Sequence, residues 1–140
     1  MKTVQGVCAL VLSCWLSGLW AYAEDHPAQS AQMAAATWLS HVDAGQYTAS
    51  WQAASPSLQD AVPESAWAES LHSIRKPLGK VVSRTLTSTQ HTTSVPGAPD
   101  GSYVIMQFAT SFEHKQATVE TVTFRQEKDG TWKAAGYYIK

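Results

Sequence analysis

Cysteine is almost missing from this 140-residue chain, and the two present, Cys8 and Cys14, both fall within the first 23 residues. The rest of the chain carries no thiol, which excludes disulfide staples, cysteine nucleophiles and cysteine metal sites there. Charge is sparse as well: 15% of residues are charged, the formal net charge is −1, and neither sign is clustered. Binding driven by phosphate contacts needs a basic patch, so nucleic acid is not an expected partner. The chain has no GxxxxGK[ST] or GxGxxG loop, no G-x-S-x-G elbow and no HExxH pair. Nucleotide binding and serine-hydrolase chemistry therefore have no motif to stand on. The five histidines, His26, His41, His72, His91 and His114, are spread one per element or turn. No metal or cofactor is expected from them. What is present is ordinary for a globular chain, 44% hydrophobic and 10% aromatic. That composition excludes a disordered chain, a coiled coil and a collagen-like repeat.

The start of the chain reads as an address label. Met1 and Lys2 give a short positive start, residues 6–20 are almost unbroken apolar sequence, and Ala21, Tyr22 and Ala23 end in small residues before Glu24 and Asp25. This is the pattern of a secretory signal peptide cleaved after Ala23, and loss of Lys2 with it takes the net charge from −1 to −2. Two alternatives compete: an uncleaved anchor, because residues 4–23 are nearly long enough to cross a bilayer, and lipidation at Cys14. Gln5, Ser13 and Ser17 weaken the anchor, and Leu12 is a poor residue for the lipidation signal. The expected product is one periplasmic or secreted domain, residues 24–140, with no stable membrane insertion after cleavage.

Periodicity changes once along that domain, from helical to alternating, near Pro77, Leu78 and Gly79. Before it, Ala31, Ala35, Trp38, Leu39 and Val42 recur at helical spacing from Pro27 until Gly45. A shorter stripe, Tyr47, Trp51 and Ala54, is stopped by Pro56. A third helix is expected from about Pro63 to Pro77, burying Trp67, Leu71 and Ile74 and turning Glu69, His72 and Lys76 to water. After the change, β-branched and aromatic residues predict strands at about 80–91, 102–112, 117–127 and 131–140. Hairpin-length links around His114 and Asp129 make the last three an antiparallel meander. Alternation turns Val104, Met106, Phe108, Phe112, Val122 and Phe124 towards the helices. The fold class is α+β, with about three N-terminal helices on one face of a four-stranded antiparallel sheet and the tryptophans in the core.

Four strings are recognisable: WLSHVDAGQYTASW (38–51), IRKPLGKVVSR (74–84), PGAPDGSYVIMQFATSFEHKQATVETVT (96–123) and DGTWKAAGYYI (129–139). In order and spacing they resemble bacterial exported proteins grouped as domain-of-unknown-function family 4019. The resemblance covers nearly the whole of residues 24–140. It implies a small secreted or periplasmic α+β domain of a Gram-negative bacterium, with no activity assigned. The order of helices then sheet is also similar to the cystatin-like and nuclear-transport-factor-like cone layouts, an analogy of layout that leaves function open.

Several residues depart from a bland sheet. Strict alternation puts Glu120 on the inward face with Val122 and Phe124, where a carboxylate needs a partner. Arg84, alternating with Val82 and Leu86, can enter the same layer and pair with it. Three readings stay open for Glu120: a strand end where the side chain reaches solvent, a buried structural pair, and a ligand or catalytic role. Asp43, with Gln46 and Tyr47, reads first as a helix end and tight turn, with Tyr47 and Trp51 available as an aromatic wall for a ligand. Pro96, Gly97, Pro99, Asp100 and Gly101 form a stiffened loop that serves spacing or a partner. Gly136, in mid-strand, marks a bulge or a place where a large neighbour such as a helix tryptophan needs room.

No residue is assigned a catalytic role on this reading. The expected function is non-enzymatic binding of a small molecule or an envelope protein, through the concave sheet face or the 95–101 loop. The rivals are a cone-fold lyase or isomerase with Glu120 as general base in a pocket walled by Trp38, Tyr47 and Phe108, and a purely structural envelope protein.

Overall fold

A computed structural model describes residues 27–140, so the expected signal peptide and its expected cleavage site lie outside the described residues. The first stripe forms α1 (Pro27–Asp43), which buries Ala31, Ala35, Trp38, Leu39 and Val42 as its spacing requires. Gly45 follows with a φ of 72°, a conformation that side-chain-bearing residues rarely adopt, and its N–H closes back on the Val42 carbonyl.

Among the described residues four helices precede the sheet, one more than the expected three. The second stripe forms α2 (Tyr47–Gln52), and Pro56 does not merely stop it. Pro56 is the first residue of α3 (Pro56–Ala61), where its missing N–H costs nothing and its ring pre-sets φ. Ser55 caps α3, its side chain accepting from the Leu58 N–H, while its own N–H reaches the Ala134 carbonyl in the sheet at 2.8 Å. A proline is both a stop and a start, and here the cap just before it decides between them.

The last helix, α4 (Glu64–Leu78), runs one residue past Pro77 and ends at Gly79. Its inward stripe is Trp67, Leu71 and Arg75, not Ile74, which is 47% exposed while Arg75 is 5% exposed. At about 100° per residue i+7 falls about 20° to one side of i, whereas i+4 and i+8 fall about 40° and about 80° to the other, and that other side is the one packed here. An arginine at the third position was not expected inside because its charge needs partners that lie far away in sequence.

The strands are β1 (Val81–Thr92), β2 (Tyr103–Phe112), β3 (Lys115–Gln126) and β4 (Trp132–Ile139). They form an antiparallel sheet in the order β1-β2-β3-β4, a full meander with an open edge on each side. The helix-facing side carries Val104, Met106, Phe112, Val122, Phe124 and Ala134, all buried, with Phe108 and Tyr137 half-buried. β1 departs from its expected inward stripe: Val82 is 68% exposed and Leu86 36%. A register shift between Val81 and Ser83 takes Val82 out of the pairing, whereas Arg84 and Leu86 stand opposite Thr110 and Phe108 on one face, with Leu86 less covered there than Arg84. Among the described residues no helix is long and apolar enough to cross a membrane.

Tryptophans join the helical layer to the sheet. The Trp38 ring lies 6.2 Å from Trp67, 6.1 Å from Phe124 and 5.6 Å from Tyr137. Its Nε1 donates to the Ser50 carbonyl at 2.8 Å, a group near the end of α2 that needs an acceptor's partner. Trp67 donates to the Ser50 hydroxyl and Trp51 to the Val62 carbonyl, so the indoles also satisfy the ends of the short helices.

Candidate functional site

Every strand contributes one residue to a polar row across the helix-facing side. Arg84 of β1 stands opposite Thr110 of β2, Glu120 of β3 stands opposite Phe108, and Tyr137 of β4 stands opposite Val122, one step from Glu120. Glu120 is 0% exposed. Its Oε1 accepts from Arg84 Nε at 2.7 Å and from the Thr110 hydroxyl at 2.5 Å. Its Oε2 accepts from the Tyr137 hydroxyl and, at 3.2 Å, from Arg84 Nη2. Of the open readings for Glu120, solvent exposure is thus removed, and the arginine that faces it is the one its alternation pointed to.

The row continues into the helices. Arg84 turns its outer nitrogens to Asp43, with Nη1 to Oδ2 at 2.8 Å and Nη2 to Oδ1 at 2.9 Å. Arg75 Nη2 reaches the same Asp43 Oδ1 at 2.9 Å, and its guanidinium lies 4.9 Å over the Phe112 ring. Two guanidinium groups and two carboxylates form one neutral cluster, Arg75, Asp43, Arg84 and Glu120 in sequence. A carboxylate at the C-terminus of α1 opposes the helix dipole, so Asp43 is held there by its two arginines rather than by its helix. Arg75, Thr110 and Tyr137 were missed from the sequence. The faint signal for Arg75 was its place one turn beyond Leu71 on the buried stripe.

Protonation follows this geometry. Burial pulls the Asp43 carboxyl upward, but the hydrogen bonds and charge of Arg84, and then of Arg75, outweigh it and hold the group below the ordinary carboxylate range. Burial opposes charge on Arg84, yet Asp43 and Glu120 overcome it and hold the guanidinium more firmly protonated than usual. Burial, then the Glu120 charge and hydrogen bond, push the Tyr137 hydroxyl well above the usual tyrosine range. Because the folded value for Asp43 is depressed, its contribution to stability is complete above the unfolded value of about 3.9 and is lost as pH falls through the folded one. Urea midpoints measured from pH 6 down to pH 2 are expected to fall less in Asp43→Asn, which lacks this group, than in the wild type.

A shallow groove reaches the outer side of the cluster at Asp43 and Arg75, with Tyr47, Lys76, Lys80 and Glu113 on its walls, and Glu120 does not line it. Tyr47 stands edge-on to His72 there. Trp51 is not among the residues lining this groove and packs half-buried against the core, so it forms no wall with Asp43. Gln46 holds His41 Nδ1 at 2.9 Å. Among the described residues no group of three histidine, aspartate or glutamate side chains comes together that could hold a metal.

The 95–101 loop builds a second surface. It folds back onto the sheet face opposite the helices, where the Tyr103 hydroxyl donates to the Pro99 carbonyl at 2.5 Å and the Gly101 N–H to the Thr93 carbonyl at 3.1 Å. Tyr103 is buried completely beneath it. Gly97, Ala98 and Pro99 then line a groove of about 280 Å³ with Ser57, Leu58, Ala61 and Val62 on the α3 side, Trp67, and Ala135, Gly136 and Tyr137 of β4. Pro96, Asp100 and Gly101 do not line it. The β3 and β4 register shifts beside Gly136, at Ala135, as a bulge requires. A Cβ on Gly136 would meet nothing nearer than Thr123 at 3.8 Å, so no tryptophan crowds that position.

Fold and site together define a small α+β domain whose inward acid is fully engaged by its own side chains and whose loop and edge strand frame an apolar groove. Residues 34–137 match the model of a family described as protein of unknown function (DUF4019), and the chain belongs to that family. Comparison with curated proteins and with solved structures returns no match.

Proposed function

We propose that this protein is an exported, non-enzymatic binding module that receives its ligand in the groove between the 95–101 loop, α3 and β4. One observation carries the reading: the loop closes on one side of an apolar groove beside the open edge of the sheet, whereas the buried acid has no free side. A general base needs an oxygen within reach of substrate, and four donors from Arg84, Thr110 and Tyr137 already occupy both oxygens of Glu120. The polar row on this reading ties helices to sheet and leaves recognition to the groove. The helices over one face of a four-stranded meander are in keeping with a cystatin-like or nuclear-transport-factor-like cone layout, which hosts binding modules and enzymes alike and so leaves the choice to the site.

Export is supported by the apolar run and the small residues before Glu24. Protein recovered from the envelope fraction is expected to show an intact mass that begins at Glu24, and titrated with a mixed panel of small fragments it is expected to shift backbone amides clustered at residues 57–62, 97–98 and 135–137. A mass that retains residues 1–23, or carries lipid on Cys14, overturns the processing. Shifts centred instead on Arg84 and Glu120 would restore the concave face as the binding site, and no saturable shift anywhere would leave the structural envelope protein.

A further inference from the structure

The groove beside β4 also constrains the chemistry of its occupant. No charged side chain lines it. The polar tips of its aromatic residues are turned away: Trp67 Nε1 donates to the Ser50 hydroxyl and the Tyr137 hydroxyl to Glu120, so the groove meets ring carbon from both. The Ser57 hydroxyl is shared with Ser55 at 2.9 Å, and the Pro99 carbonyl accepts from Tyr103. A charged group placed here would lose its hydration without gaining an ionic partner, which is costly. Electrostatic complementarity therefore selects an uncharged occupant.

Gly136 supplies the second constraint. Its backbone is outside the positive-φ region, and a Cβ would meet only Thr123, at 3.8 and 3.9 Å, an ordinary van der Waals distance. The bulge beside it places the extra residue at Ala135, and Gly136 is itself paired with Thr123, so bulge, backbone conformation and internal crowding all leave room for a side chain at a mid-strand position that a glycine weakens. A bare stretch of strand backbone inside a groove is instead where another group can lie flat against the peptide. The volume, about 280 Å³, is at the lower end for a ligand site and suits a small ring system rather than a chain of many atoms.

We infer that the groove takes a small, uncharged, planar ring system laid against the peptide backbone at Gly136, between the 97–99 loop and Trp67. This rests on the reading of the groove as the binding surface and names the class of ligand it admits.

The test uses three probes of similar size: indole, which is planar and uncharged; indole-3-acetate, which adds a carboxylate; and cyclohexanol, which is uncharged but not planar. Each is titrated into the full domain while amide shifts are followed by NMR. Indole is expected to saturate amides at residues 97–98 and 135–137, with the other two at least about tenfold weaker. Gly136→Val should occupy the bare surface, melt no lower than the wild type, and weaken indole by at least about tenfold. Ala98→Trp fills the groove from the loop side and gives the same result without touching the strand. Equal binding of indole-3-acetate or cyclohexanol at those amides overturns the inferred class while the groove remains a binding surface. If none of the three moves those amides while other fragments do, the class is again wrong. If nothing moves them, the binding reading fails with it. A folded Ala98→Trp protein that keeps wild-type indole affinity overturns the placement, and so does a Gly136→Val protein that melts well below wild type, since the glycine then serves the fold.

Discussion

Glu120→Leu is expected to lower the stability of the domain by about 3–5 kcal/mol, the usual cost of leaving one partner of a buried ion pair behind. Leucine fills much of the volume, but Arg84 Nε loses its acceptor and the Thr110 and Tyr137 hydroxyls lose theirs at the same time. Arg84 keeps Asp43 through Nη1 and Nη2, so the guanidinium does not become wholly unpaired. The companion Arg84→Met, Glu120→Leu protein is expected to recover most of the loss, because apolar side chains often replace buried ions well. Asp43 then remains paired with Arg75 at 2.9 Å, and the cluster stays neutral. Urea unfolding at pH 7 measures both, provided the slope against denaturant is unchanged between the proteins. A single mutant with the wild-type midpoint would show that the row contributes nothing to stability. An exposed pair, worth about 0–1 kcal/mol, would give that result.

Trp38→Ala is the other large effect, about 3–5 kcal/mol and on the order of 10–25 °C in melting temperature. Trp38 is 3% exposed and touches Trp67 from α4, Phe124 from β3 and Tyr137 from β4, so its removal opens a void where two helices meet the sheet. The Ser50 carbonyl also loses the indole N–H. Trp38→Phe separates the two contributions: it keeps a ring in the site and gives up the hydrogen bond, with an expected cost of about 1–3 kcal/mol for a buried acceptor left unpaired. Calorimetry on the three proteins checks the order. A Trp38→Ala protein that melts within a degree or two of the wild type would mean that the helical layer does not pack on the sheet as described.

The parts of the fold that were legible in the sequence are those where one local period repeats long enough to be unambiguous. α1 shows the same five buried residues as its stripe, and the four strands begin and end within two residues of where alternation placed them. Legibility failed where a residue's local meaning depends on what packs against it. Pro56 ends one helix and begins another, which only the Ser55 cap and its bond to Ala134 decide. Ile74 and Arg75 compete for one inward position, and hydropathy chooses the wrong one because the energy of burying Arg75 comes from Asp43 and Phe112, far off in sequence.

The candidate sites divide in the same way. Alternation put Glu120 on the inward face and named Arg84 as its candidate partner, but left open a strand end where the side chain reaches solvent, which only the folded structure removed. That Asp43 closes the far side of Arg84, rather than walling a ligand with Trp51, depends on the crossing of α1 over β1. The loop proline and glycine residues announced stiffness without a destination. Only the folded chain carries residues 97–99 to the edge of β4 and α3, where they frame the groove. Sequence by itself determined the class of fold, the order of helices before strands and the face on which Glu120 lies, because each follows from a period of two or of about 3.6 read over neighbouring residues. The tertiary structure decided which charges meet and where a cavity is left, because both depend on contacts between segments whose separation along the chain carries no information about their separation in space.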